Sequence, residues 1–407
     1  MVSIQSGSRA ERPIKPLTVG LTGALALAVA MGIGRFAFTP LLPMMLADKL
    51  VDLPGGGWLA TANYLGYLLG ALLCMILPRF ADAAAMVRLG LAGTIVVTLG
   101  MALPWPDLWP VLRFLAGVMS AFVFIFTSGW CVARLARLDA QAMGALIFIG
   151  PGLGIILSGL MTSGMVALHW TASTGWAVLG LLALVLTVVV WPVFRGGEHV
   201  GIPAPGQGAG VPARGSRVEQ GLFTLAYGLA GLGYIITATF LPVIAREALP
   251  GSIWLDLFWP VFGLGIMLGA VISTRIPVRV DPRLMLIGLY LLQAAGVMMA
   301  LWLPSAMGFA LGSLMVGVPM TAITFFAMQI VRRLRPDGVA AFMGLLTVLY
   351  GLGQIAGPPL AAALLARADS HAQGFALSLE CAALSLVIGV LIYLWLIRAY
   401  PAKQEGH

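Results

Sequence analysis

The sequence predicts an all-α integral membrane protein with twelve transmembrane helices in two parallel six-helix halves. Three observations carry that prediction. Of the 407 residues, 60% are hydrophobic and only 9% charged, with a mean hydropathy of +1.00, a balance that water-soluble domains of this length do not approach. The apolar residues fall into twelve runs, each long enough to cross a bilayer at about 20 residues per crossing. The chain also repeats itself at an offset of 199 residues, which places Gly32 on Gly231, Gly34 on Gly233, Leu42-Pro43 on Leu241-Pro242, Asp48 on Glu247, Gly66 on Gly265 and Gly70 on Gly269. Six spans per copy is an even number, so both copies enter from the same side and form parallel repeats about an axis along the membrane normal.

The spans are expected at 17–47, 55–77, 84–103, 108–133, 142–168, 172–194, 220–245, 253–275, 283–303, 306–331, 339–366 and 373–398. Arg9, Arg12 and Lys15 ahead of an apolar run that includes Ala28-Val-Ala30 imitate a secretory signal. The run continues to Ala47, too long for such a signal, and is read as the first span. Between the sixth and seventh spans, 195–219 holds a Gly- and Pro-rich stretch with little to bury and reads as a linker. The organisation is thus a tail at 1–16, a six-helix bundle at 17–194, the linker, a second bundle at 220–398 and a tail at 399–407.

Charge sets the orientation. Eighteen of the 23 Lys and Arg fall in the two tails and the even-to-odd loops, three (Lys49, Arg246, Arg367) on the other side and two (Arg35, Arg113) within spans. The positive-inside rule then puts both termini in the cytoplasm. Trp58, Trp105, Trp109, Trp170, Trp176, Trp254, Trp259 and Trp302 fall near the outer ends, as an interfacial belt requires. The net charge of +8 is spread over short clusters between spans rather than along one face, which excludes a nucleic-acid surface. Cys74, Cys131 and Cys381 lie in spans without a CxxC or Cys/His pattern, and His169, His199, His371 and His407 fall in loops or the tail. No metal, cofactor or enzyme constellation emerges. The Gly-rich runs lack the Lys-Ser/Thr of a phosphate-binding loop, so energy has to come from gradients.

The candidate functional residues are the polar groups that a lipid-facing surface would avoid. Arg35 lies about 17 residues, roughly 25 Å of helix, into the first span, and Arg113 enters the fourth from the opposite side to a comparable depth. Buried charge is costly and kept for a purpose. Two like charges at one level call for an anion between or beside them, a substrate carboxylate or a protein one. Glu380, in the twelfth span, is the one acid deep inside a span and stands as a proton carrier or structural partner. Tyr234 sits where the repeat has Arg35, and Gln354 lies in a Gly-rich run of the eleventh span; Tyr64, Tyr67, Tyr227, Thr237 and Tyr350 are further interhelical or ligand groups. Gly32, Gly34, Pro40 and Pro43 can loosen the first helix, and the recurrence of Gly231, Gly233 and Pro242 in the seventh makes a shared hinge the expectation, against simple close packing.

Twelve spans in two parallel halves resemble the major facilitator superfamily over nearly the whole chain. Three runs narrow the likeness: Gly32-Ile-Gly-Arg-Phe-Ala-Phe-Thr-Pro-Leu-Leu-Pro43, Asn63-Tyr-Leu-Gly-Tyr-Leu-Leu-Gly70 and Gly351-Leu-Gly-Gln-Ile-Ala-Gly-Pro358 look like the bacterial YbfB/YjiJ group of transporters. Arg113-Phe-Leu-Ala-Gly117 matches the RxxxG signature that relatives tie to coupling or substrate binding. The GxxxDRxGRR loop motif is echoed only by Gly70, Arg79, Asp82 and Arg88 in altered spacing, and Gly150-Pro-Gly-Leu-Gly154 partly matches an antiporter motif. The resemblance implies that the first, fourth, seventh and tenth helices line a central cavity. It also implies a secondary transporter of the bacterial cytoplasmic membrane, moving a small organic solute by alternating access with protons as the coupling ion. An anionic or zwitterionic substrate is favoured by the arginines; efflux of apolar drug-like compounds is the alternative, and a non-transporting sensor the reading from another class. A fluorescent protein and alkaline phosphatase fused in turn to the C-terminus test the orientation: fluorescence without phosphatase activity is expected.

Overall fold

The computed structural model of the protein describes residues 15–76, 82–195, 216–252, 254–276, 281–335 and 339–401. Most of the N-terminal tail, most of the 195–219 linker, most of the C-terminal tail, Arg79, His199 and His407 lie outside the described residues. Among the described residues, twelve helices are long and apolar enough to cross a membrane: Pro16–Ala47, Leu53–Met75, Ala83–Gly100, Pro106–Arg137, Gln141–Ala167, Ala172–Val190, Arg217–Ala248, Leu255–Ser273, Pro282–Trp302, Ala306–Leu334, Ala341–Leu365 and His371–Ala399. They are called the first to twelfth spans below. Each begins and ends within a few residues of its expected position. The fourth and seventh overrun, because their helices continue through Arg134 to Arg137 and through Arg246 to Ala248.

Repeat-related residues make matching contacts in the two halves. Asp48, at the end of the first span, accepts the backbone N–H of Ala172 at the start of the sixth, at 2.6 Å. Its counterpart Glu247 meets the His371 ring at the start of the twelfth, at 3.2 Å. A carboxylate beside a helix N-terminus is favourable in both copies. Asp82 and Asp281, also 199 apart, N-cap the third and ninth spans by accepting from the N–H groups of Ala84 and Arg283. Where the linking turns differ, the device is kept but the residue moves. Arg88 of the third span reaches the Trp191 carbonyl at the end of the sixth, and Arg283 of the ninth donates to the Leu396 and Tyr400 carbonyls at the end of the twelfth. Burial pushes the Asp281 carboxyl up, but Arg283, bonded to it through side chain and backbone, outweighs this and holds it below the usual carboxylate range.

The recurring glycines belong to helix crossings. A Cβ on Gly32 would overlap the backbone of Gly154 in the fifth span, and one on Gly353 in the eleventh would overlap the Gly228 and Leu232 backbone of the seventh. The pairs Gly32–Gly154 and Gly231–Gly353 are related by the same 199 residues. Close packing, the alternative to a shared hinge, is what these contacts display. The seventh span is one continuous α-helix through Gly231, Gly233 and Pro242, whereas the first is broken. Close approach of backbones is what the two halves share there.

The belt reading also divides. Trp58, Trp105, Trp170, Trp254 and Trp302 are 43–62% exposed, as interfacial anchors should be, but Trp109, Trp176 and Trp259 are buried. Their positions near span ends face neighbouring helices, where each indole fills space between helices. Replacing Gly154 by Leu should cost about 1–3 kcal/mol through overpacking, read as a lower unfolding temperature of the purified protein, while Leu at the exposed Gly221 should leave it unchanged.

Candidate functional site

The first span departs from α geometry where its sequence demands it. Pro16–Leu27 is α-helical, Ala28–Arg35 is a π-helix and Phe38–Ala47 is α-helical again. The Phe36 N–H reaches back five residues to the Met31 carbonyl at 3.0 Å, as a π turn requires. Pro40 has no N–H to give the Phe36 carbonyl, which instead accepts from Thr39 at 3.2 Å. That shift takes the Thr39 N–H away from the Arg35 carbonyl, its partner in a regular helix.

Arg113 answers for the break. Its two terminal nitrogens donate to the carbonyls of Gly34 (3.1 Å) and Arg35 (3.0 Å), and its guanidinium lies 4.8 Å from the Phe38 ring centroid and 5.9 Å from that of Trp176. Asn63 of the second span donates to the Arg113 carbonyl at 2.9 Å. The fourth-span arginine is therefore at the level of Arg35, as its position in the sequence implies, but its terminal donors are taken up by backbone. Its contribution to the site is to hold the first helix in its broken form and so to place Arg35.

Arg35 points across the molecule. It is 3% exposed, and its Nη2 donates to the Gln354 side-chain oxygen of the eleventh span at 2.7 Å. The Gln354 amide nitrogen in turn donates to the Tyr234 hydroxyl of the seventh span. The three residues singled out on separate sequence grounds thus form one chain of hydrogen bonds through three helices. Tyrosines surround it. The Arg35 guanidinium lies 4.0 Å from the Tyr67 ring centroid and 5.2 Å from that of Tyr64, while Tyr350 stacks on Tyr234 at 5.8 Å and packs against Tyr227 at 5.1 Å. Tyr67 and Tyr350, at its edge, are only half-buried. Arg35 Nε and Arg113 Nε are buried without a partner.

No carboxylate is buried among the described residues. Glu380, read from the sequence as a proton carrier or a structural partner, is exposed on the outer face of its helix together with Leu377, Leu384 and Leu391, while Ser378, Leu379, Ala382 and Ala383 turn inward. The twelfth helix presents its stripe of small residues to the bundle, and Glu380 falls on the opposite side of that stripe. The structure does not bring it to Arg35. Thr237 is buried inside the second half with its hydroxyl unpartnered, beside Leu241, Val297 and Phe309, away from the arginines.

Sequence reading missed Asn63, Thr39 and Thr239. Thr39 donates to the Ala238 carbonyl at 2.7 Å, and the Tyr64 hydroxyl pairs with Thr239 at 2.8 Å. One signal was available: Thr39 and Ala238 are 199 residues apart, so the repeat itself names them as a pair that can meet on the axis.

A family model described as uncharacterised MFS-type transporter YbfB matches residues 27–394. The uncharacterised MFS-type transporter YceJ of Bacillus subtilis (strain 168) is 28% identical over 261 residues, covering 60% of this chain; the chain spans 63% of that relative's length. Among solved structures, a point mutant of the nucleoside transporter NupG superposes with a TM-score of 0.72 at 13% identity, covering 93% of this chain and 99% of NupG. A second NupG structure gives 0.66 at 14% identity, covering 95% and 99%. At that identity the likeness speaks for the fold.

Removing the Arg113 guanidinium while keeping a polar side chain should leave the two first-span carbonyls without donors, at about 1–3 kcal/mol each. Arg113→Gln is expected to lower the unfolding temperature clearly more than Arg35→Gln does, which thermal unfolding in one detergent measures directly.

Proposed function

The chain belongs to the MFS-type transporter family described by YbfB, and on that premise we propose that it moves a small organic anion or zwitterion across the membrane by alternating access. Membership makes it a multi-pass membrane transporter of a small-molecule substrate. The substrate class rests on one observation: two buried guanidinium groups receive only neutral partners, carbonyls at Arg113 and an amide oxygen at Arg35. A carboxylate at Arg35 would supply the missing charge through the bidentate geometry that guanidinium favours. Gln354, Tyr234, Tyr67 and Tyr350 are the neighbouring groups positioned to orient the rest of the solute.

The two six-helix bundles, 17–194 and 220–398, are the bodies that rock, joined by the 195–219 linker, with both termini in the cytoplasm of a bacterial cell and the chain in its cytoplasmic membrane. Contacts between the halves support this division. The second span runs along the eleventh, with Leu68 against Gly351 and Met75 against Gly344, and the fifth runs along the eighth, with Gly152 against Gly263. Proton coupling stays part of the reading on the strength of the family resemblance, but Glu380, exposed on the twelfth span, is not its carrier here. The apolar drug-like alternative draws on the tyrosine wall alone and leaves both charges uncompensated.

A thermal-shift panel of purified protein with mono- and dicarboxylates and amino acids, against the matching uncharged amides, tests the reading. Carboxylates should raise the unfolding temperature, the amides should not, and Arg35→Ala should abolish the rise while remaining folded. Equal shifts with amides, or shifts retained in Arg35→Ala, overturn it.

A further inference from the structure

We propose that Gln354 is a built-in stand-in for the substrate's carboxylate, a positioning residue that keeps the end of the bundle away from the termini shut until an anion takes its place on Arg35. The displacement step rests on the anion reading above; the latch itself stands on geometry alone. Among the described residues, three buried side-chain hydrogen bonds join the halves in one layer: Arg35 to Gln354, Thr39 to the Ala238 carbonyl, and Tyr64 to Thr239. Thr39 lies eight residues before the far end of the first span and Ala238 ten before that of the seventh. The layer therefore lies between the bilayer middle and the end remote from the termini. Opening that end separates the first and seventh spans and has to break such bonds.

Of the three, only the Arg35 bond has a charged donor waiting for a better acceptor. The Arg35–Gln354 bond is already charge-assisted on the donor side; a carboxylate adds the full opposite charge and a second acceptor oxygen that matches the guanidinium fork, so it outcompetes a carboxamide for the same edge. The Gln354 amide is also held from behind by Tyr234, its partner within the second half. When an anion takes Arg35, Gln354 stays with the second half and the first half carries the anion, so one tie between the halves is lost at the moment the cargo binds. The other two ties, between a hydroxyl and a carbonyl and between two hydroxyls, are indifferent to anions. In the first half the position equivalent to Gln354 is Ile155, which can make no such bond. The device exists once, on the side that faces Arg35.

Pulsed electron paramagnetic resonance without any added carboxylate tests the latch. Spin labels on Asp107→Cys and Leu303→Cys, both exposed and in opposite halves beyond the layer, report opening of that end. Cys381 is replaced by alanine, and the buried Cys74 and Cys131 are left in place. Gln354→Leu removes the acceptor and should add a second, longer-distance population. Gln354→Glu supplies an internal charged acceptor and should keep the single short distance and abolish any carboxylate-induced thermal shift. Tyr234→Phe, which loosens the amide from behind without touching Arg35, should give a smaller long-distance population and serves if Gln354→Leu does not fold. Unchanged distances in both Gln354→Leu and Tyr234→Phe, or a long-distance population in Gln354→Glu equal to that in Gln354→Leu, overturn the proposal. If instead the carboxylate panel fails while these distances shift as expected, the anion reading falls and the latch stands.

Discussion

Everything at the centre of this molecule depends on the Arg113 guanidinium holding two backbone carbonyls of the first helix. A helix that changes from π to α geometry inside a bilayer exposes carbonyl oxygens that lipid cannot satisfy. Arg113 supplies both donors from the fourth helix, and Asn63 of the second ties down the Arg113 backbone in turn. The aromatic rings of Phe38 and Trp176 lie close enough for cation–π attraction to the same charge. With the break fixed, Arg35 is held where its side chain crosses to the other half. Without it, a regular first helix would turn Arg35 by a different angle and the bonded chain through Gln354 and Tyr234 would not form.

Most of the fold was legible in the sequence because it is written in simple terms: run length, charge asymmetry and a gapless repeat. The centre was legible in part. Arg35, Gln354 and Tyr234 stand out as polar residues in apolar company, and they do meet. Arg113 stands out equally, yet its terminal nitrogens are bonded to two first-span carbonyls, one of them, that of Arg35, freed when Pro40 displaced a hydrogen bond, and no residue count reveals that. Glu380 failed for a related reason. Depth along a helix can be read from numbering, but the direction a side chain faces needs the small-residue stripe to be read with it, here Ser378, Ala382, Ser385 and Gly389. The glycines are a different case: their recurrence signalled a shared purpose, and the crossing of two backbones is the one their contacts display.

The two halves agree wherever the task is to build a bundle and differ at the polar residues of the centre. Carboxylates at helix starts, arginines at helix ends and glycines at crossings recur at 199 residues or close to it. Arg35 against Tyr234 and Ile155 against Gln354 do not. A stable scaffold tolerates duplication because each copy buries its own surfaces. The central residues share one space and answer to each other.

That shared space carries a geometric obligation. Thr39 touches Ala238, its own image under the repeat, so the two-fold axis passes between them. Residues one turn away on the same helices, Arg35 and Tyr234, are likewise images converging on the axis. A faithful duplicate would set guanidinium facing guanidinium in a medium of low dielectric, or phenol facing phenol with no charge at all. A perfectly symmetric ancestor could have had the architecture but not this centre. Divergence at this pair and at Ile155 and Gln354 is thus the condition for a repeated fold to hold a polar heart.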